Sequence, residues 1–472
     1  MTDTPDTDQP LAARGGNRSL RPTSKRFLEF VTSGWGPRPD LGVTRSPAAD
    51  VAAARRARLS AQFPGQRLVI PAGQSKVRSN DTDFRFRPHA AFAHLTGLGM
   101  EQEPNAVLVL HPVEDGDGGS GHHAVLYLDP PAGRDTEEFF ADSTHGEFWV
   151  GARPALTDIA TLTGIATARL DGLRDALAKD VGADGVRLLL VAGVDEAVDE
   201  VVAQLRTDET AGRSDDRLAE ALAELRLVKD AYEIDQLQQA VDITIAGFEK
   251  VVRALPAATA HRRGERVVEG TFLGHARQEG NDVGYHTIAA AGEHATTLHW
   301  ADNDGAVRDG DLLLLDAGVE ADSLYTADVT RTLPVNGTFT ETQRKVYQAV
   351  LDAADAAIAV IRPGIRFRDV HAAAMEVIAA RVAEWGLLPV SARESLDSDA
   401  QLHRRWMIHG TSHHLGLDVH DCAQARAEMY LDGTLEPGMV FTVEPGFYVK
   451  SDDLLAPAEL RGIGVRIEDD IV

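Results

Sequence analysis

The chain has 472 residues, more than one ordinary domain accommodates, so two or more domains are expected. It is 43% hydrophobic and 25% charged, as folded globular proteins are, and its formal net charge of -26 argues against a nucleic-acid or acidic-membrane partner. The single cysteine, Cys422, excludes an intrachain disulfide, and it reads as a small buried hydrophobe rather than a nucleophile.

Residues 1–22 are mostly Asp, Thr, Pro, Arg and Gly, with no apolar leader core, and read as a flexible tail that extends to residue 45. Within it Phe27, Phe30, Val31 and Trp35 suggest a short docked segment. A helix is expected over 48–62, then strands at 67–71, 105–111 and 123–129, with an Asp- and Gly-rich loop at 114–122. Helical patterns follow at 154–162 and 169–179, a strand at 186–192 and a helix at 195–204. This alternation predicts an α/β domain over 46–225, closed by a polar linker at 207–216. From Asp230 a long amphipathic helix begins, with Ile234, Leu237, Val241, Ile245 and Phe248 as its apolar face. The second domain is then 226–472. No stretch approaches the ~18 uninterrupted apolar residues of a membrane span, so a soluble, cytoplasmic protein is the expectation.

The chemistry concentrates in that second domain. The run Leu312–Asp316 is a buried strand with one acid embedded at its end, and the strand after it carries Asp328 in the same situation. An ionised carboxylate in an apolar strand requires a partner or a metal. A hairpin centred on Asp322 sets 316 opposite 328, on one sheet face. Either Arg331 or Arg308 neutralises one acid while the other lies at the sheet edge, or both acids hold a cation. Glu444 and Glu468 end two further apolar strands, and strand alternation puts Arg466 on the face of Glu468. Four carboxylates in this setting, with at least one imidazole from the histidine-rich 409–421 stretch, exceed what one divalent ion needs and suit two. A zinc helix at His409 and His413 is rejected: no Glu follows the first His, and Gly410 and Gly416 weaken a helix there.

The motifs DAG at Asp316, ADVTRTLPV around Asp328, HGTSHHLGLDVHD from His409, VEPG at Glu444 and RIED at Glu468 resemble the pita-bread metallopeptidases, which include methionine aminopeptidase, prolidase, aminopeptidase P and metal-free creatinase. The resemblance covers about 226–472, and RSNDTDFRFR from Arg78 with FAHLTG from Phe92 is similar to the creatinase-like N-terminal domain of the aminopeptidase P branch. It implies an α/β N-terminal domain and an α+β pita-bread catalytic domain. It also implies a dinuclear centre held by Asp316, Asp328, His413, Glu444 and Glu468, with Asp328 and Glu468 bridging. His299, His409 and His420 match the family's active-site histidines, Glu444 doubles as its proton carrier, and Tyr448 and Arg466 match supporting positions. The implied activity releases the N-terminal residue from peptides with proline second, through a metal-bridging hydroxide. The metals are expected to be two Mn²⁺, with Zn²⁺, Co²⁺ or Fe²⁺ as alternatives, and the partners peptide substrates and further copies of the chain, as a dimer or tetramer. Prolidase activity and a non-catalytic binding scaffold are the other readings. The sequence departs from the family pattern in three places. Asp316 and Asp328 stand twelve apart, one more than usual, with the extra residue expected in the turn. His294 stands where many relatives have Asn. The chain stops at Val472, soon after Glu468, so a truncation is a further expectation.

Overall fold

The computed structural model describes residues 22, 24–80, 82–100, 103–113, 121–182, 185–206 and 211–472. The expectations for residues 1–21, for most of the 114–122 loop and for 207–210 of the linker lie outside these. The chain forms two compact units, one ending at Leu218 and the other Ala219–Val472.

The first unit is built on a five-stranded mixed sheet in the order Ala166–Arg169, His122–Leu128, Val107–Pro112, Gln66–Pro71 and Arg187–Leu190. Its outer pairs are parallel and its inner pairs antiparallel. Val69, Val107, Val109, Leu188 and Leu190 pack with Leu173, Leu177, Val198 and Val202 in one buried cluster. The expected helix over 169–179 is shorter: a strand occupies Ala166–Arg169, and the helix is Leu173–Ala178. Phe27 lies in a helix, Lys25–Val31, and meets Phe140 edge-on, while Trp35 meets Phe139 and Phe148. The residues from 211 in the expected linker are helical instead, in Ala211–Leu225. Leu218, Leu222 and Leu225, with Ala221, recur at steps of three and four and are buried, and that apolar stripe outweighs the polar residues between them.

In the second unit, Asp230 caps the helix Ala231–Thr259 through a capping box with Glu233. Its buried face runs through Leu237, Ala240, Thr244, Gly247, Phe248 and Val251. Ile245, expected on that face, is exposed: Ala, Thr and Gly line the buried stripe because the helix Gly264–Glu279 lies close, with Phe272 and His275 against Gly247. A three-stranded antiparallel sheet joins Ile288–Ala291, Leu312–Ala317 and Val329–Pro334. Strand alternation divides the central strand between two cores. Leu313, Leu315 and Ala317 face the cluster under these helices. Leu312 and Leu314 face the cluster that includes the helices Glu341–Val360 and Phe367–Glu384. Asp316 is next in the second row, where that core ends.

The hairpin register differs from the expected one. Asp316 pairs with Thr330, not Asp328, and the bridge Glu320–Thr326 shows a centre one residue further on, at 323. The reason is the turn: Leu324 adopts a left-handed conformation at φ 71° and its N–H donates to the Ala321 carbonyl, which sets the bend one residue further on. The shift is two positions, so Asp316 and Asp328 still share a face, as diagonal neighbours. Gly318 is required where it stands, because a Cβ there would strike the Ala327 carbonyl.

Candidate metal centre

The two carboxylate-bearing regions meet in a single row. Thr330, opposite Asp316, bridges on its other side to Glu468, whose N–H donates to the Thr330 carbonyl at 3.1 Å. The Thr330 hydroxyl donates to Glu468 Oε2 at 2.7 Å. Phe441–Val443 pairs with Asp469–Ile471 and Gly446–Tyr448 with Gly464–Arg466, and both ladders keep one register. Carried across the break between them, that register sets Glu444 opposite Glu468. Asp316, Thr330, Glu468 and Glu444 therefore lie in line across successive strands, with Asp328 in the row on one side and Arg466 in the row on the other.

Three of the imidazoles, His409, His413 and His420, come from an irregular segment laid beside the Glu444 strand. Thr442 N–H donates to the His413 carbonyl at 2.9 Å, and Glu444 N–H to the Thr411 carbonyl at 2.8 Å. His413 Nε2 thereby reaches Asp328 Oδ2 at 3.4 Å and Glu444 Oε1 at 3.6 Å. Asp328, His413 and Glu468 each offer a donor atom within 4.8 Å of the others. These residues line a cavity of about 670 Å³ together with Asp316, Glu444, Arg466, His299, His409 and His420. Tyr448, behind it, joins through His409 and Arg466. Every expected site residue thus belongs to one place.

Its electrostatics are those of an anionic cluster with too little positive charge. Burial and the neighbouring acids push Glu468 well above the ordinary carboxylate range, and burial pushes Glu444 up to about 8 although His413 and Arg466 oppose it. Asp316 is raised by burial and by Asp328, against Arg466, whose guanidinium is paired with it. Burial lowers the pKa of His413, but its hydrogen bond to Asp328 and the charges of Glu444 and Asp328 outweigh this and lift it to about 9. His409 goes the other way, to about 3, because of burial and then Arg466. The neutral His409 ring has defined roles: Nδ1–H donates to the Gly410 carbonyl at 2.6 Å, and Nε2 accepts from the Tyr448 hydroxyl at 2.8 Å. Tyr448 in turn accepts from Arg466 at 3.1 Å.

Sequence reasoning missed Tyr285 and Asp470. The Tyr285 hydroxyl sits between Asp316 and Asp328, at 2.6 and 2.5 Å, and Asp470 accepts from the Asp328 N–H at 3.1 Å. Tyr285 follows Gly284 in a stretch with no strand periodicity, so no pattern marks it. Asp470 had a signal, as the second of two acids directly after Glu468.

The chain is similar to known proteins over both units. Residues 235–472 match metallopeptidase family M24, and residues 52–187 match the aminopeptidase P N-terminal domain. Xaa-Pro aminopeptidase 1 of Streptomyces coelicolor is 49% identical, over 100% of this chain and 92% of its own length. The structure is similar to that of aminopeptidase P from Escherichia coli in its low-pH form, with a TM-score of 0.75 and 30% identity over 90% of this chain and 92% of that one. A zinc-substituted form of the same E. coli protein, in complex with product, gives a TM-score of 0.75 and 30% identity over 90% and 93% of the two chains. The chain belongs to metallopeptidase family M24.

Proposed function

We propose that this M24 metallopeptidase is an Xaa-Pro aminopeptidase that works with two divalent metal ions held by Asp316, Asp328, His413, Glu444 and Glu468. The observation that carries the reading is the row of buried acids. At least four carboxylates converge, while the guanidinium in contact with them is that of Arg466. A cluster of this kind is poorly stable with protein charges alone, and its oxygen-rich donor set suits Mn²⁺. The S. coelicolor and E. coli relatives carry the name that supplies the substrate class.

The bound ions would supply Lewis acidity toward the scissile carbonyl and an acidified water as nucleophile. The side chains do the rest. The water oxygen adds to the carbonyl carbon, the C–N bond to proline breaks, and Glu444 carries a proton to the leaving nitrogen. That nitrogen had no N–H, because the bond to proline is a tertiary amide, so the site has to accept it without a donor from the substrate. His420, whose ring lies 4.4 Å from that of His413, would hydrogen-bond the developing oxyanion. His299 and His409 face the cavity as substrate contacts, and the Arg466–Tyr448–His409 chain fixes the His409 ring.

The purified protein with Mn²⁺ is expected to release the first residue of an Xaa-Pro-Xaa tripeptide. Glu444→Gln is expected to lose roughly 10²–10⁴-fold in kcat, as removal of a proton carrier does. Equal turnover by Glu444→Gln or Asp328→Asn overturns the assignment. Cleavage of Xaa-Pro dipeptides alone would move the reading to prolidase.

A further inference from the structure

The segment between the strands Ile288–Ala291 and Leu312–Ala317 carries His299 to the cavity wall. Two fully buried polar side chains hold it. Asn303, in a left-handed conformation at φ 46°, accepts from the Ala289 N–H at 2.9 Å and donates to the Thr287 carbonyl at 2.8 Å. Glu265, in the first turn of the helix Gly264–Glu279, is 0% exposed. Its Oε1 accepts from the Ala291 N–H and from His294 Nδ1, both at 2.8 Å. Its Oε2 accepts from Trp300 Nε1 at 2.9 Å and from the Gly305 N–H at 2.6 Å.

A carboxylate taken wholly out of water is tolerated only if its lone pairs are satisfied. Here all four donors come from one fifteen-residue stretch, from its start, middle and end. They converge on Glu265 in one fold of that stretch, so a different loop conformation would strand the carboxylate. The rings of His294 and Trp300 stack with centroids 3.9 Å apart and an interplanar angle of 25°, which locks the middle of the loop. Trp300 directly follows His299. His294 is thus one jaw of the clamp.

We infer that Glu265 is a positioning residue for the reaction: through His294 and Trp300 it selects the single loop conformation in which His299 faces the substrate. This rests on the Xaa-Pro aminopeptidase reading for its catalytic half, and on the hydrogen-bond geometry alone for its structural half. A gap of 1 Å at a substrate contact can cost on the order of 10²-fold in rate.

Three experiments test it. In hydrogen exchange on the metal-free protein, Glu265→Gln is expected to speed exchange across 291–305 while leaving Leu312–Pro334 unchanged, and unchanged exchange at 291–305 overturns the clamp whatever the activity. In a double-mutant cycle, Glu265→Gln is expected to lower kcat/KM by roughly 10- to 100-fold in the wild-type background but by less than about threefold in His299→Ala. Effects that multiply show that Glu265 does not act through His299. His294→Asn, which keeps a donor, should retain most of kcat/KM, whereas His294→Leu should lose it, and equal loss in both overturns the role of the hydrogen bond from His294 to Glu265. Absence of Xaa-Pro cleavage by the wild type would instead count against the functional reading and leave the exchange result to decide the clamp.

Discussion

The catalytic unit contains two buried charge clusters of opposite design. In one, Arg226 and Lys229 surround Asp421, with Arg226 Nε 2.9 Å from Asp421 Oδ1 and each residue at most 4% exposed. Burial works to raise Asp421, yet the two cations hold it below the usual carboxylate range. In the other, Asp316, Glu444 and Glu468 are all raised. Desolvation works to raise the acids of both clusters, yet their protonation tendencies are opposite, and the difference is the supply of counter-charge from the protein. Where the fold provides its own cations, the buried acid is a structural strut. Where it withholds them, the acids suit an ion from outside, the role proposed for them, and perturbed acids do concentrate at functional sites.

Three experiments sharpen or break this contrast. The largest effect is expected from chelation, which should abolish Xaa-Pro cleavage and restore it on adding Mn²⁺. It should also lower Tm, because an ion at 1,000 times its Kd contributes about 4 kcal/mol; a chelator that changes neither turnover nor Tm breaks the comparison. Next, Asp421→Asn leaves Arg226 buried without its partner and is expected to cost about 3–5 kcal/mol. Denaturant titration should give the same loss with and without metal, and a loss seen only in the metal-bound protein would show that the two clusters are not independent. The smallest effect is on pH. Glu444, ordinarily near 4.5, is raised to about 8 in the fold, and His413, ordinarily near 6.5, to about 9. Both bind protons more tightly when folded, so the stability they contribute is fully present at low pH and is lost as pH rises toward 9. Metal-free protein should therefore denature more easily at pH 8.5 than at pH 5.5. Glu444→Gln should reduce that slope, and a slope of opposite sign would refute the direction of these shifts.

Much of the centre was legible in the sequence because acids inside apolar strands are conspicuous: Asp316 ends four leucines, and Glu444 and Glu468 repeat the figure. What failed to show was what tertiary contact decides. The turn around Leu324 moved the register by two, since a left-handed leucine has no sequence signature. Tyr285 reaches Asp316 and Asp328 across 31 and 43 residues, which no local pattern encodes. Glu265 looks like an ordinary residue at a helix start, and its four donors appear only once the loop is closed. The helix Ala211–Leu225 was hidden by polar residues interleaved with its buried leucines.

The displaced hairpin register has an evolutionary corollary. Side chains alternate with a period of two, so any change of spacing between Asp316 and Asp328 that the ladder absorbed one residue at a time would turn an acid to the wrong face. A bend that takes up the odd residue removes that constraint. The tip at Ala321–Leu324 is therefore a site where lineages can gain or lose a residue without disturbing the acids, and length variation among descendants of this chain should collect there rather than in the strands on either side.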